Sequence, residues 1–274
     1  PIPMILIQRL REMWTYRDLI RNLVVRDLKV RYKSSILGIA WSWLNPLLMM
    51  LVYTLLFTVF LKNDSIDHYP VFLLCGLLTW NFFNDSVLQG TTSIVSNAHL
   101  IKKVYFPREI LPLSVVLSNL VNFLISLPVF FLLVYISGAR LTWWALLLPV
   151  TLLIQVIFTL GLSYFLATLN VFFRDTQIIL GVVMLAWFFL TPVFYSIRTV
   201  PERASILGIA FDPRLWLRRL NPMASIVASY RDVLYWGSPT GLDFLFRTAA
   251  TAVIMLIVGY AFFVRFSSRF GEEV

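Results

Sequence analysis

Asp85 stands where a carboxylate is least expected. It follows Trp80, Asn81 and Asn84 at the end of an apolar stretch that begins near Val71, and Ser86 and Gln89 come just after it. An ionisable group in such a place could relay a proton across a membrane, or it could belong to a polar contact between helices. Other chemistry-bearing residues are few. His68 and His99 are the only histidines and make no metal-binding pair, while the single cysteine, Cys75, leaves no disulfide and no thiolate cluster. Asp175 beside Arg174 could act as the acid and base of a membrane-embedded transferase, or it could be a structural ion pair. No Gly-rich loop ending in Lys and then Ser or Thr is present, so the chain is not expected to hydrolyse ATP itself. No catalytic residue and no metal ligand is assigned.

The elements that must position these residues follow from composition. Of the 274 residues, 59% are hydrophobic and only 14% charged, and the mean hydropathy is +0.81. A chain of this kind needs lipid as its solvent. The formal charge of +9 could suggest nucleic acid, but eight of the 23 Lys and Arg residues precede Ser34, directly ahead of a long apolar run. Basic residues there mark a cytoplasmic flank facing anionic lipid, and no nucleic-acid partner is expected. The basic region is also too long, and the apolar run after it too extended, for a cleavable signal.

Six apolar blocks are predicted to be transmembrane helices: 36–61, 71–88, 110–136, 143–169, 178–197 and 245–266. The fold class is therefore an all-α integral membrane protein, organised as one transmembrane domain over 1–274. The second block, interrupted by Asn81, Asn84 and Asp85, should face protein or water over part of its length. Residues 1–35 place Leu6, Leu10, Met13, Trp14, Leu19, Ile20, Leu23 and Val24 near helical spacing among charges, the pattern of an amphipathic helix lying in the interface. In the connection 198–244, the apolar patches Ile206 to Phe211 and Ile226 to Trp236 are too short to span and are expected to be interfacial or re-entrant helices. Basic residues put both termini in the cytoplasm, with Lys102, Lys103 and Arg108 in a cytoplasmic connection at 96–109. The Arg-rich connection 198–244 fits that rule poorly, because six spans place it outside.

Aromatic residues are dense, with 23 Phe, 11 Tyr and 9 Trp. They could form an interfacial belt, or line a path along which flat apolar faces slide without tight binding.

Five segments carry a resemblance. Asp27 to Pro46 (DLKVRYKSSILGIAWSWLNP), Asn97 to Pro107 (NAHLIKKVYFP), Asn170 to Asp175 (NVFFRD), Thr191 to Tyr195 (TPVFY) and Leu220 to Pro222 (LNP) together resemble the permease subunits of type-2 ABC exporters for O-antigen, capsule and teichoic acid. The resemblance spans nearly the whole chain in order. It implies a homodimer of this chain bound to two separate ATPase subunits, with ATP and Mg held by those partners and no cofactor on this chain. It implies a bacterial plasma-membrane location and a polysaccharide or polyol phosphate on a polyprenyl lipid as cargo. By the same resemblance, Asn97, His99, Leu100, Lys102, Lys103, Tyr105, Phe106 and Pro107 form a coupling helix seated on the ATPase. Trp41, Trp43, Asn45, Tyr53, Phe57, Trp80, Phe188, Phe194 and Tyr195 line the conduit. Arg31, Tyr32 and Lys33 stand at its entrance, at the level of lipid phosphates. A proton-coupled carrier, a membrane-embedded enzyme and a small-lipid or drug exporter are the competing expectations.

Overall fold

The computed structural model describes residues 14–33, 35–60, 66–139, 141–201, 204–206 and 209–274. Helix α1 spans Arg17–Tyr32. The first apolar block forms α2, Gly38–Phe60, a helix that starts with a 3-10 turn and ends in a π segment at Leu55–Phe60. Then come α3 (Tyr69–Ser96), the short α4 (Ala98–Lys103), α5 (Ile110–Ile136) and α6 (Trp143–Phe172). Helix α7 covers Thr176–Leu190. A small antiparallel hairpin pairs β1 (Ala204–Ile206) with β2 (Ile209–Phe211). Helices α8 (Pro213–Leu220), α9 (Pro222–Arg231), α10 (Leu242–Ser267) and α11 (Phe270–Glu273) complete the order.

Five of these, α2, α3, α5, α6 and α10, are long and apolar enough to cross a membrane. The fifth block was expected to supply a sixth span over 178–197, but its helix stops after 15 residues. At about 1.5 Å per residue that is roughly 22 Å, short of the ~30 Å hydrocarbon core. Pro192 is the cause, since it has no N–H and drives the preceding residue out of the helical region; Thr191 sits at φ −95°, ψ 134°. The patch Ile206 to Phe211 also departs from expectation, because it contributes strands and not an interfacial helix. Its β-branched Ile206 and Ile209 suit the extended pairing. The patch from Ile226 is helical, as expected, and continues as a π turn through Trp236. Of the amphipathic segment, Leu6, Leu10 and Met13 lie outside the described residues.

Helix α3 is the axis of the bundle, with α5 and α6 packed along it. Its polar residues are the reason it faces protein rather than lipid. Thr79 accepts Gln155 Nε2 of α6 on its carbonyl at 2.8 Å, and Gly90 leaves room for Ser163, which a Cβ would meet at 2.9 Å. The last span locks to α6 still more closely. A Cβ on Gly161 would lie 2.5 Å from Leu256 N, and one on Gly259 would run into the Gly161 carbonyl. Lipid gives apolar helices no reason to associate, so backbone approach through such glycines supplies the packing energy. By contrast, α2 and α7 present Leu48, Leu51, Val52, Ile178, Val182 and Leu185 outward.

A buried cation holds the broken end of α7. Arg231, 4% exposed, donates to the carbonyls of Pro192, Val193 and Tyr195 and, at 3.5 Å, of Phe72. Its guanidinium also lies 3.5 Å from the Phe72 ring centroid. Asn221 completes the join, capping α9 through Ala224 N while its Nδ2 donates to Leu190 O and Thr191 Oγ1, both at 3.1 Å. Two of the segments singled out in the sequence, TPVFY and LNP, thus meet here.

Replacing Gly259 by Val is expected to cost about 1–3 kcal/mol by overpacking. Gly241→Val, where an added Cβ would meet only Phe244 Cβ at 4.0 Å, should cost little. Thermal midpoints of the purified variants, read by fluorescence-detected size exclusion, check this contrast. Arg231→Met strands several carbonyls at about 1–3 kcal/mol each and should lower the midpoint more than any exposed Arg→Met change, with Arg231→Lys only partly restoring it.

Candidate functional site

Three features are candidates for the functional site. The first is a polar cavity of about 430 Å³ walled by α1, α2, α3 and α5. Its residues recur at helical spacing, with Asn81, Asp85 and Gln89 on α3, Asn119, Asn122 and Ser126 on α5, and Ser42 and Asn45 on α2. Arg31 reaches in from α1, its Nη2 donating to Asn119 Oδ1 at 2.7 Å and Gln89 Oε1 at 3.0 Å. The Tyr32 hydroxyl bonds to Ser42 and donates to Asn122, and Ser42 Oγ donates to Asn122 Oδ1 at 2.7 Å. The entrance trio expected from the sequence is therefore divided. Arg31 and Tyr32 are half-buried in this network, and Lys33 is exposed.

The second feature is a cavity of about 360 Å³ between α2, α3 and α7, lined by Tyr53, Trp80 and Phe188 and sharing Asn45, Asn81 and Asp85 with the first. Beyond it lies an aromatic cluster. Phe57 stacks on Phe194 at 5.1 Å between centroids, Phe188 packs against Trp80 at 5.5 Å and Phe194 at 5.8 Å, and Tyr195 abuts Phe194 at 5.1 Å. Of the residues expected to line a conduit, Tyr53, Phe57, Trp80, Phe188, Phe194 and Tyr195 are thus gathered at one place. Trp80 is buried and packed edge-on against Phe83. Asn45 lines both cavities, Trp41 lines the first, and Trp43 turns aside to donate from Nε1 to Ile125 O at 2.7 Å.

The third feature is the segment from Asn97 to Pro107. Asn97 is buried, its Nδ2 donating to Ser93 O at 2.8 Å and its Oδ1 accepting from Arg26 Nη1 at 3.2 Å. Phe106 turns inward too, into a core with Leu23 of α1, Ile94, Ile110, Tyr164, Phe263 and Phe270. Leu100 and Pro107 are half-buried. What remains outside is a compact face of His99, Lys102, Lys103, Val104 and Tyr105, the last 95% exposed. Arg108 anchors the base of this segment by donating to the Ser267 carbonyl. Helix α1 therefore touches both this face's support, through Leu23 and Arg26, and the polar cavity, through Arg31 and Tyr32.

The sequence pattern passed over Ser42, Asn119, Asn122 and Ser126 as cavity residues. Their signal was present as polar residues three and four apart within apolar blocks. Arg231 was counted as a charge of the outer connection, whereas it is buried, which removes one of the charges that fit the orientation rule poorly.

The chain can be compared with known proteins on this basis. A family model described as ABC-2 type transporter matches residues 18–235. Over 269 residues the chain is 40% identical to the O-antigen export system permease protein RfbA of Myxococcus xanthus, covering 98% of this chain and 100% of that protein. An O-antigen export system permease protein RfbA of Klebsiella pneumoniae is 36% identical over 258 residues, 93% of this chain and 94% of its own. The polysialic acid transport protein KpsM of Escherichia coli is 22% identical over 253 residues, 89% and 92% of the two chains. The match takes in α1, the exposed face near Tyr105, both cavities and the Arg231 join, and on it this multi-pass membrane protein belongs to the ABC-2 type transporter membrane family.

Proposed function

We propose that this chain is the membrane-spanning subunit of an ATP-driven exporter that carries an O-antigen-like polysaccharide on a polyprenyl lipid from the cytoplasmic to the outer face of the plasma membrane. The observation that carries this reading is 40% identity with an O-antigen export permease along nearly its entire length. A capsule-type polymer is the second reading, favoured by the weaker likeness to a polysialic acid transporter.

In this reading two copies of the chain assemble around the faces of α2 and α7, whose exposed apolar residues suit either a partner helix or lipid. Helix α7 and the turn after it make the sixth crossing, and both termini lie in the cytoplasm. Two ATPase subunits bind below, each holding the ATP and Mg, and the face of His99, Lys102, Lys103 and Tyr105 seats on them. A rigid, exposed aromatic close to two lysines is a fitting anchor for a partner groove. Movement there passes along α1, because Arg26 is bonded to Asn97 at one end and Arg31 to Gln89 and Asn119 at the other. The entry of α2 then shifts through Tyr32 and Ser42. The lipid tail remains in the bilayer while the glycan passes the aromatic cluster.

Expression with the neighbouring ATPase, purified on a tag carried by this chain, should yield ATP hydrolysis that is absent from this chain alone. Tyr105→Ala should weaken ATPase capture by about 2 kcal/mol, some 30-fold, without unfolding the exposed segment. If no ATPase is captured by the unaltered chain, the exporter reading fails. Orientation has its own check. In a Cys75→Ala background, a cysteine at His68 should react with an impermeant maleimide in intact spheroplasts, and one at Tyr105 only in inverted vesicles. The reverse pattern would overturn the proposed topology.

A further inference from the structure

The segment from Asn97 to Pro107 is tied differently at its two ends. At its start, Asn97 Oδ1 accepts from Arg26 of α1. Its exit is held by α6 and the last span. Phe106 lies in the core that contains Tyr164 of α6, Phe263 of α10 and Phe270 of α11, where the Phe263 ring centroid stands 5.1 Å from those of both Tyr164 and Phe270. Arg108 Nη1 donates to the carbonyl of Ser267, the final residue of α10, and a Cβ on Gly271 would lie 3.4 Å from Arg108 Nη2. The Tyr164 hydroxyl donates to the Glu109 carbonyl at 3.2 Å. A cation over the last carbonyls of a helix is an ordinary C-terminal cap. Here the cation belongs to the base of the exposed face and the carbonyl to the last span, so the cap is also a strap.

We infer that the face of His99, Lys102, Lys103 and Tyr105 forms one rigid body with the end of α10, and that Arg108 and Phe270 are the positioning residues of this joint. Phe106, Ile110 and Leu111, which lead from the face into α5, are at most 8% exposed. A closely packed core of this kind has low compressibility and passes displacement on. Farther along, Gly161 and Gly259 bring the backbones of α6 and α10 into contact, so that displacement of one carries the other. The two ties therefore lead to different parts of the bundle. Helix α1 walls the polar cavity, whereas α6 and α10 line neither of the two cavities described above. The joint deepens the exporter reading and rests on it, since the face is what the ATPase would move.

The test uses the full chain together with its ATPase in inverted vesicles from the host strain, and it reads ATP-driven delivery of the surface polymer into the lumen. Arg108→Met and Phe270→Ala should leave ATPase capture within a few-fold of the unaltered protein, because the side chains of the face are untouched, and should slow delivery about tenfold. Arg108→Lys, which can still donate to the Ser267 carbonyl, should recover most of that loss, and Arg269→Met, at an exposed position, should have no effect. Unchanged delivery in both the Met and the Ala variants would overturn the joint. Capture that falls in step with delivery would overturn it too, since the two residues would then only shape the docking face. A second measurement does not depend on those variants. In a Cys75→Ala background, Arg108→Cys and Gly271→Cys are bridged by a bis-methanethiosulfonate reagent about as long as the arginine side chain it replaces. A rigid joint predicts that bridging restores delivery and that reduction abolishes it again. Inhibition by the bridge, relieved on reduction, would show the face and the last span moving against each other. Should the unaltered chain capture no ATPase or deliver no polymer, the exporter reading itself falls.

Discussion

Everything at one end of this molecule depends on how a proline break is satisfied inside the bundle. When α7 stops at Thr191–Pro192, carbonyls that would have been bonded within the helix are left without helical partners and need donors from elsewhere. Arg231 supplies that donor capacity from another helix, and its guanidinium fans across several carbonyls at once, which an ammonium could not do. The tie brings α9 against α3, sets the direction of the turn through Phe194 and Tyr195, and thereby fixes the rings that face α2. Asn221 repeats the solution on a smaller scale.

The opposite end is organised by apolar packing instead. Leu23, Phe106, Phe263 and Phe270, from four separate parts of the chain, share one small core. That core makes α1, the Asn97–Pro107 segment and α11 a single block with a charged, aromatic outer face. Between the two ends runs the polar seam, which neither arrangement explains. Amides and hydroxyls from α2, α3 and α5 converge there, and one charge from α1 enters. A bundle meant only to sit in lipid has no use for such a seam.

Much of the fold was legible because hydrophobic runs and their interruptions report directly on solvent. The third block emerged at the predicted bounds, Ile110–Ile136, and the polar breaks in the second marked the helix that is buried among the others. Three features were not legible, for definite reasons. The shortening of α7 follows from a proline whose effect depends on whether a tertiary donor exists to cover the break. Phe106 points inward although it stands in a basic, exposed-looking run, since run composition does not say which side of a turn a ring occupies. The strands at Ile206 and Ile209 depend on a local pairing that a six-residue apolar patch cannot distinguish from a helical turn. Of the site, the gathering of Tyr53, Phe57, Phe188 and Phe194 was foreseeable from family resemblance. That Asn45, Asn81 and Asp85 line both cavities was not, because it depends on how α2 packs against α3.

The glycine crossing between α6 and α10 bears on how the protein is made. The notch at Gly161 of α6 is filled by the backbone at Met255 and Leu256, near the far end of the chain. The notch is closed only when Gly259 arrives, some hundred residues later, and the same helix then brings Phe263 into the core beneath α1. The core beneath the face of His99, Lys102, Lys103 and Tyr105 is likewise incomplete without Phe263. Both contacts therefore wait on the last helix, and no earlier part of the chain can complete the bundle in its place.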